Sequence, residues 1–299
     1  MIFICWAVHS ILILLSVAFF TLFERKVMAL FHNRLGPNKV SFIGLVQPLL
    51  DAFKLLTKQF LVPLQANTFT YLASPQVALL ISIFIWITIP RLYFILSINY
   101  SFVIFFCLGS VIVLSNLLSG WSSNSKYRLI GSLRSVAQSI SYEAVFRTLI
   151  VLFMFFIISF SIRSFITQSS ILYLLLLPLW VICILAEGHR PPFDFAESES
   201  ELVSGYNTEY SGSLFAFTFL REYGVLLYSC LLISFIFFSC LVPISVFSIV
   251  FISMLIAFLF TWIKITFCRY RYDMLIIASW KVLLPFTLSI FILSLFLII

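Results

Sequence analysis

Apolar residues run along this chain in unbroken blocks about 20 long, enough to span a bilayer as α-helix, and short polar stretches separate the blocks. They fall at about 2–23, 71–90, 99–118, 139–161, 171–187, 214–240, 243–263 and 279–298, and predict roughly eight membrane-spanning helices. In lipid every backbone polar group needs an internal partner, which leaves helices or closed barrels. The runs are continuous rather than alternating, which excludes a barrel. The expected fold class is an all-α polytopic membrane protein. One membrane domain covers 1–299, with polar loops at about 24–70, 119–138, 187–213 and 264–278 on one side.

The first run ends abruptly at Glu24-Arg25-Lys26 and has no A-x-A-like cleavage site, so it is expected to be a retained span. Gly36-Pro37-Asn38 marks a turn. Leu45, Leu49, Ala52, Phe53 and Leu56 then recur at helical spacing, with Gln47, Asp51, Lys54 and Lys58 on the other face. That pattern predicts an amphipathic helix lying at the membrane surface. Pro243 marks the turn between the sixth and seventh spans.

Composition agrees with this reading. The chain is 63% hydrophobic and only 10% charged, too little polar surface for a water-soluble domain. The net charge of +7 is explained by orientation rather than by nucleic acid. Loops on one side carry Arg25, Lys26, Arg34, Lys39, Lys54, Lys58, Lys126, Arg128, Arg134, Arg190, Lys264, Arg269 and Arg271, and the opposite loops only Arg91 and Arg163. The basic side faces the cytoplasm or an organelle matrix, and the N-terminus faces away from it. The six cysteines are scattered, mostly inside apolar runs and without C-x-x-C spacing, and read as small buried hydrophobes.

Against this apolar background, residues 187–210 hold six of the 11 acidic residues: Glu187, Asp194, Glu197, Glu199, Glu201 and Glu209. A charge at the centre of a membrane helix costs roughly 2.5–3.5 kcal/mol, so their concentration between two apolar runs points to a task. Pro191-Pro192 ends any helix begun before it, which places the end of the fifth span near Glu187. Two readings stand. Clustered carboxylates in low dielectric raise one another's pKa and share protons, as in a relay or anionic gate. Alternatively, the stretch is a solvated acidic loop that meets a basic partner.

Three further groups carry charge. Arg134, Gln138 and Tyr142 form a polar stripe at i, i+4 and i+8, and Glu143 enters the fourth span beside it. An intramembrane Glu is a functional candidate, but Arg147 four residues on makes a structural pair the competing reading. Glu24, Arg25, Arg34 and Asp51 form either a polar pocket beside lipid or snorkelling anchors of a helix end. Arg269-Tyr-Arg-Tyr-Asp273 with Trp280-Lys281 reads as an interfacial anchor. His9, His32 and His189 are far apart, and no G-x-G-x-x-G, P-loop, H-E-x-x-H or nucleophile elbow occurs. No flavin, haem or iron–sulfur cluster is expected on this chain.

Several of these motifs, in this order, carry a resemblance. Glu24-Arg-Lys, Arg34-Leu-Gly-Pro-Asn-Lys-Val, Gln47-Pro and Asp51-Ala-Phe-Lys-Leu come first. Leu133-Arg-Ser-Val-Ala-Gln-Ser-Ile-Ser-Tyr-Glu143 follows, then Arg190-Pro-Pro-Phe-Asp-Phe-Ala-Glu-Ser-Glu-Ser-Glu-Leu-Val-Ser-Gly-Tyr-Asn-Thr-Glu-Tyr210, then Arg269-Tyr-Arg-Tyr-Asp with Trp280-Lys. From first span to last the chain resembles the chain 1 family of NADH–ubiquinone oxidoreductase, respiratory complex I, in its mitochondrially encoded form. The 36 phenylalanines fit a thymine-rich organellar gene.

The resemblance implies a subunit where the membrane arm meets the hydrophilic arm. It implies a chamber reached by ubiquinone, the substrate, sideways from lipid, and a file of carboxylates leading toward proton-pumping subunits. By that likeness Arg25, Arg34, Asp51 and Phe193 belong to the quinone passage. Glu143, Glu187, Asp194, Glu197, Glu199, Glu209 and Glu222 belong to proton coupling, and Arg134, Arg190 and Arg269 supply compensating charge. The implied partners are the quinone-site subunits of the hydrophilic arm, small and antiporter-like membrane-arm subunits, and lipid. The implied location is the mitochondrial inner membrane, with the N-terminus on the intermembrane-space side.

The chain departs from the family pattern in four places. Ala29-Leu-Phe-His32 replaces the usual residues before Arg34, His189 stands at the usual Asn, and Arg147 and Arg221 are unusual cations beside Glu143 and Glu222. A neighbouring cation favours an ionised carboxylate and works against a relay role. Turning those cations outward to lipid headgroups or accessory subunits would remove the conflict. The competing functions are a membrane anchor without a coupling role, and the related membrane subunit of an ion-pumping hydrogenase.

Overall fold

A computed structural model describes residues 2–89, 99–157, 159–162, 164, 171–195, 205–207, 209–238 and 246–298, and no strand occurs among them. Among the described residues eight α-helices precede the last: α1 (Ile2–Phe31), α2 (Gln47–Thr57), α3 (Thr68–Ile85), α4 (Ser101–Ser122), α5 (Lys126–Ile157), α6 (Leu177–Glu187), α7 (Gly212–Phe237) and α8 (Val246–Thr266). The last, α9, starts at Tyr272–Ile277, widens into a π-turn at Ala278–Leu283 and continues through Leu284–Ile298. Seven helices among the described residues are long and apolar enough to cross a membrane, and α6 lies in a shorter apolar helix, Leu174–Glu187. The chain is a multi-pass helical membrane protein, as the sequence predicts. Pro243 and the expected turn around it lie outside the described residues.

α5 and α7 form the centre, with 56% and 61% of their most apolar windows buried, against 17% for α9 at the periphery. Trp180 of α6 is fully buried between them. Its ring meets Phe146, Phe153 and Phe237 edge-on at centroid distances of 4.6, 5.5 and 5.7 Å, the arrangement that aromatic quadrupoles favour. Hydroxyls buried in the helices bond back into their own turns. Ser115 donates to the Ile112 carbonyl, Ser119 to Asn116 and Ser229 to Leu226, each at 2.7 Å. A polar side chain is thereby satisfied without water.

Helix α2 begins with Pro48 in its first turn, where no intrahelical N–H is needed. Its apolar residues Leu49, Phe53 and Leu56 are 39%, 65% and 60% exposed, so that face is left uncovered by the rest of the chain, as an amphipathic surface helix requires. Gly212 opens α7 at φ +59°, and a Cβ there would lie 2.6 Å from the Lys58 carbonyl. Only glycine lets the chain after α2 pass this close to α7.

Two expected boundaries are corrected. α1 does not end at Phe23 but continues through Glu24-Arg25-Lys26 to Phe31. Glu24 points inward and is buried, whereas Arg25 is exposed, so one turn places opposite charges in different surroundings. Most of the expected loop 119–138 is helical, because α4 reaches Ser122 and α5 starts at Lys126. Its polar residues Arg128, Ser132, Ser135 and Gln138 recur at helical spacing and are buried against neighbouring helices. Polarity here marks interhelical contact rather than exposure to water.

Candidate functional site

A cavity of about 90 Å³ lies where α4, α5, α6 and α7 meet. Its walls are mostly apolar, Phe105, Phe106 and Phe146 among them, yet Glu143, Glu187 and Glu222 all line it. Each carboxylate comes from a different helix, so groups far apart in sequence converge on one volume. His189, Asn116 and Arg221 complete its polar lining. Gly109 of α4 lies beside Glu143, whose Oε1 would stand at an ordinary contact distance of 4.0 Å from a Cβ at that position.

Both of the arginines singled out beside the carboxylates are engaged. Arg147 pairs with Glu143 and donates to Ser110 Oγ at 2.6 Å, and Ser110 donates to Glu143 at 3.1 Å. Arg221 is not turned outward. It is 3% exposed, its Nη2 lies 2.9 Å from Glu222 Oε1, and its Nη1 donates to Asn116 Oδ1. The expectation of outward-facing arginines is corrected for Arg221, while Arg147 keeps a 44% exposed side chain. Glu187 has no cation within ion-pair distance among the described residues.

Gly188 and His189 close α6. The His189 N–H donates to the Ala186 carbonyl at 3.3 Å and the Arg190 N–H to Leu185 at 3.1 Å, a Schellman cap with His189 in the left-handed region at φ +49°. Burial pushes the His189 imidazole down to about 4, while Glu222 raises it and Arg221 lowers it further. The ring is therefore neutral at physiological pH.

Beyond the cap, Arg190 reaches Glu24 of α1 and Tyr223 of α7. Burial alone works against its charge, but the Glu24 carboxylate, with Tyr223 and Glu222, holds its pKa above the ordinary arginine value. Its Nη1 lies 3.3 Å from Glu24 Oε1, and its guanidinium sits 4.1 Å above the Tyr223 ring. Lys264 of α8 also pairs with Glu24. Two smaller cavities continue this line. One of about 20 Å³ is lined by Glu187 and Arg190, and one of about 10 Å³ by Arg190, Glu24 and Lys264. Glu187 and Arg190 thus each border two cavities, and polar groups step from α1 and α8 toward the carboxylate cavity.

The segment after Arg190 is held from both sides. Gln138 of α5 donates to the carbonyls of Ala186 at 2.9 Å and Phe193 at 2.7 Å. The Phe193 ring lies 5.8 Å from Tyr142 and stacks on Tyr270 at 5.9 Å. Asp194 pairs with Arg269 at 3.5 Å. Glu197, Glu199 and Glu201 lie outside the described residues. Glu209 sits apart from the cavity, 3.7 Å from Arg128, whose fully buried guanidinium lies over the rings of Tyr210 and Tyr71 at 3.8 and 5.0 Å. Arg134 faces Tyr272 at 5.9 Å.

The expected quinone-passage residues do not all gather. Arg25 pairs with Asp51 at 2.7 Å, and Gln47 donates to the same carboxylate at 3.0 Å, joining α1 to α2. Arg34 is exposed in the turn after α1, and Phe193 packs between Tyr142 and Tyr270. Sequence reasoning grouped Glu24 with Arg25 and Asp51, whereas it faces Arg190 and Lys264. A signal was available: Phe20, Val27 and Met28 surround Glu24 at helical spacing, which sets it on an apolar face. Lys264 and Asn116 gave no such signal.

Comparison with known proteins gives a consistent result. The family profile described as NADH dehydrogenase matches residues 5–295. NADH-ubiquinone oxidoreductase chain 1 of Aedes aegypti is 42% identical over 286 residues, covering 93% of this chain and 90% of the relative. The protein of the same name from Heterololigo bleekeri is 42% identical over 285 residues, covering 93% and 91%. That from Lampetra fluviatilis is 40% identical over 295 residues, covering 95% and 92%.

Proposed function

The chain belongs to the NADH dehydrogenase family, and we propose that it couples ubiquinone reduction to proton translocation as the membrane subunit bordering the quinone chamber of NADH–ubiquinone oxidoreductase. The observation that carries the coupling role is the 90 Å³ cavity into which Glu143, Glu187 and Glu222 converge from three helices. Three carboxyl groups in one mostly apolar volume cannot all ionise independently, so a charge change at one is felt by the others. Quinone reduction consumes protons and creates anionic intermediates. A negative charge near the Glu24–Arg190–Lys264 group would weaken the hold of Arg190 on its surroundings and favour protonation further along the line.

In this reading Glu143 and Glu222, each beside an arginine, are the electrostatically anchored ends, and Glu187 is the group whose proton occupancy changes. Arg25, Arg34 and Asp51 line the lipid-side access for ubiquinone, and Asp194–Arg269 holds the acidic segment against the hydrophilic-arm subunits. Glu197, Glu199 and Glu209 continue the acidic path on the matrix side of the mitochondrial inner membrane. The positively charged side is the matrix side, which puts the N-terminus toward the intermembrane space.

Glu143→Gln, Glu187→Gln and Glu199→Gln variants of the assembled complex test this. NADH–quinone turnover and the proton-to-electron ratio are measured alongside reduction of an artificial acceptor by the hydrophilic arm. The expected result is at least a tenfold fall in quinone-coupled turnover for Glu187→Gln, with artificial-acceptor reduction retained. Unchanged turnover and stoichiometry in all three variants would remove the coupling role.

A further inference from the structure

We propose that Gln138 is a positioning residue for coupling: its side-chain amide makes the turn between Ala186 and Phe193 one rigid unit, so that a displacement of Arg190 reaches Glu187 through the backbone. This rests on the coupling role given above to the carboxylate cavity. The turn and the residue after it send three charged groups to three places. Glu187 lines the cavity, Arg190 pairs with Glu24 of α1, and Asp194 pairs with Arg269. The turn's own hydrogen bonds are local. The Gly188 N–H donates to Ile184 at 2.8 Å, the Arg190 N–H to Leu185 at 3.1 Å and the Phe193 N–H to the Arg190 carbonyl at 2.8 Å. None of these three joins Ala186 to Phe193. Gln138 does so, because its Nε2 donates to both carbonyls, at 2.9 and 2.7 Å.

This clamp needs an amide. A primary amide nitrogen carries two hydrogens and can serve two acceptors at once. Gln138 is fully buried, and its Oε1 has no hydrogen-bond partner among the described residues, so the two donated bonds set its orientation. Rotating the amide by half a turn would bring Oε1 against two carbonyl oxygens, an arrangement of acceptors without donors. The clamp also fixes the turn to α5. Glu143 follows Gln138 by five residues on that helix, a rise of about 7.5 Å. Glu187, next to the Ala186 carbonyl, is thereby held in register with Glu143 across the cavity.

A negative charge arriving near Glu24 and Lys264 displaces the Arg190 guanidinium that pairs with the same carboxylate. With both ends of the turn held on one amide, the backbone between them does not absorb that displacement by bending. It passes to the end of α6, which carries Glu187. With the clamp open, the segment from Gly188 to Phe193 bends and Glu187 keeps its place. Gln138 touches neither the quinone nor the moving proton in this role. It acts through the backbone that positions Glu187.

The test uses Gln138→Met and Gln138→Glu in the assembled complex. NADH–quinone turnover is expressed per assembled complex, counted by artificial-acceptor reduction, so that a loss of assembly alone does not register. Gln138→Met keeps the length and loses both donors. It should lower turnover about tenfold at every pH, with the KM for quinone unchanged. The isosteric Gln138→Glu donates nothing when ionised and one hydrogen when protonated. Its turnover relative to the parent should rise at least about threefold from about pH 9 to about pH 6, a limb that a purely structural role does not produce. Parent-like turnover per complex in Gln138→Met would overturn the proposal, and so would a Gln138→Glu deficit that does not change with pH. Should Gln138→Glu fail to assemble, Gln138→Met decides alone. Glu187→Gln separates the two levels. If Glu187→Gln is impaired while the Gln138 variants match the parent, only the Gln138 proposal fails; if Glu187→Gln is also normal, the coupling role fails with it.

Discussion

Replacing Glu24 with glutamine should destabilise the protein by removing the anion shared by two cations. The carboxylate is 3% exposed and is shared by Arg190, 3.3 Å away, and by Lys264. At 3.3 Å the gross attraction to Arg190 is about 5 kcal/mol for an effective dielectric constant of about 20. The net worth of the pair is smaller, since all three groups gave up hydration to form it. Removing the anion alone leaves two cations facing each other with their hydration already lost, which costs about 3–5 kcal/mol. The Arg190 side chain is 13% and Lys264 27% exposed, so water relieves Lys264 more than Arg190. Glu24→Gln should therefore lower the denaturation midpoint of the purified complex's membrane arm and reduce the amount assembled. Lys264→Met added to Glu24→Gln should recover part of the loss, giving a coupling energy of at least about 1 kcal/mol in a double-mutant cycle. A Glu24→Gln protein of normal stability, or costs that add within about 0.5 kcal/mol, would refute the idea that these three groups act as one buried ionic unit.

The remaining predictions concern the supports of the site and its pH response. Gln138→Leu removes both hydrogen bonds to the Ala186 and Phe193 carbonyls and should cost about 2–3 kcal/mol in the same denaturation assay; a cost below about 0.5 kcal/mol would show those carbonyls find other partners. Gly212→Ala forces a side chain into a positive φ and against the Lys58 carbonyl, and should cost about 1–3 kcal/mol, measured as a lowered midpoint; an unchanged midpoint would contradict the close approach. His189 supplies a pH signature. Its folded pKa of about 4 lies below the ordinary imidazole value of 6.5, so its stability contribution is fully present above 6.5 and is lost as pH falls toward about 4. Between those limits the stability of His189→Asn should gain on the parent by about 3 kcal/mol, and parallel stability–pH curves would count against a buried neutral imidazole.

The sequence alone determined the class of this protein. Runs of about 20 apolar residues leave little choice but membrane helices, because neither water nor an open sheet can satisfy such a chain. It also marked the surface helix, since the two faces of Gln47–Thr57 differ along a short segment with regular spacing. Glu143 and Glu187 could be singled out because charge within or at the edge of an apolar run is costly and therefore informative, whereas Glu222 was marked only by the family resemblance. Sequence could not say that the three share one cavity, since they lie on α5, α6 and α7 and only packing brings distant segments together. Nor could it sort the charges of one turn. Glu24 and Arg25 are neighbours in sequence, yet tertiary structure buries the first against Arg190 and Lys264 and leaves the second at the surface with Asp51. The same holds for Arg221, which composition would send to lipid headgroups and which the fold buries beside Glu222 and Asn116. Apolar length is a property of a segment and can be read from it, whereas the partner of a buried charge belongs to another segment, and only the folded bundle decides which one.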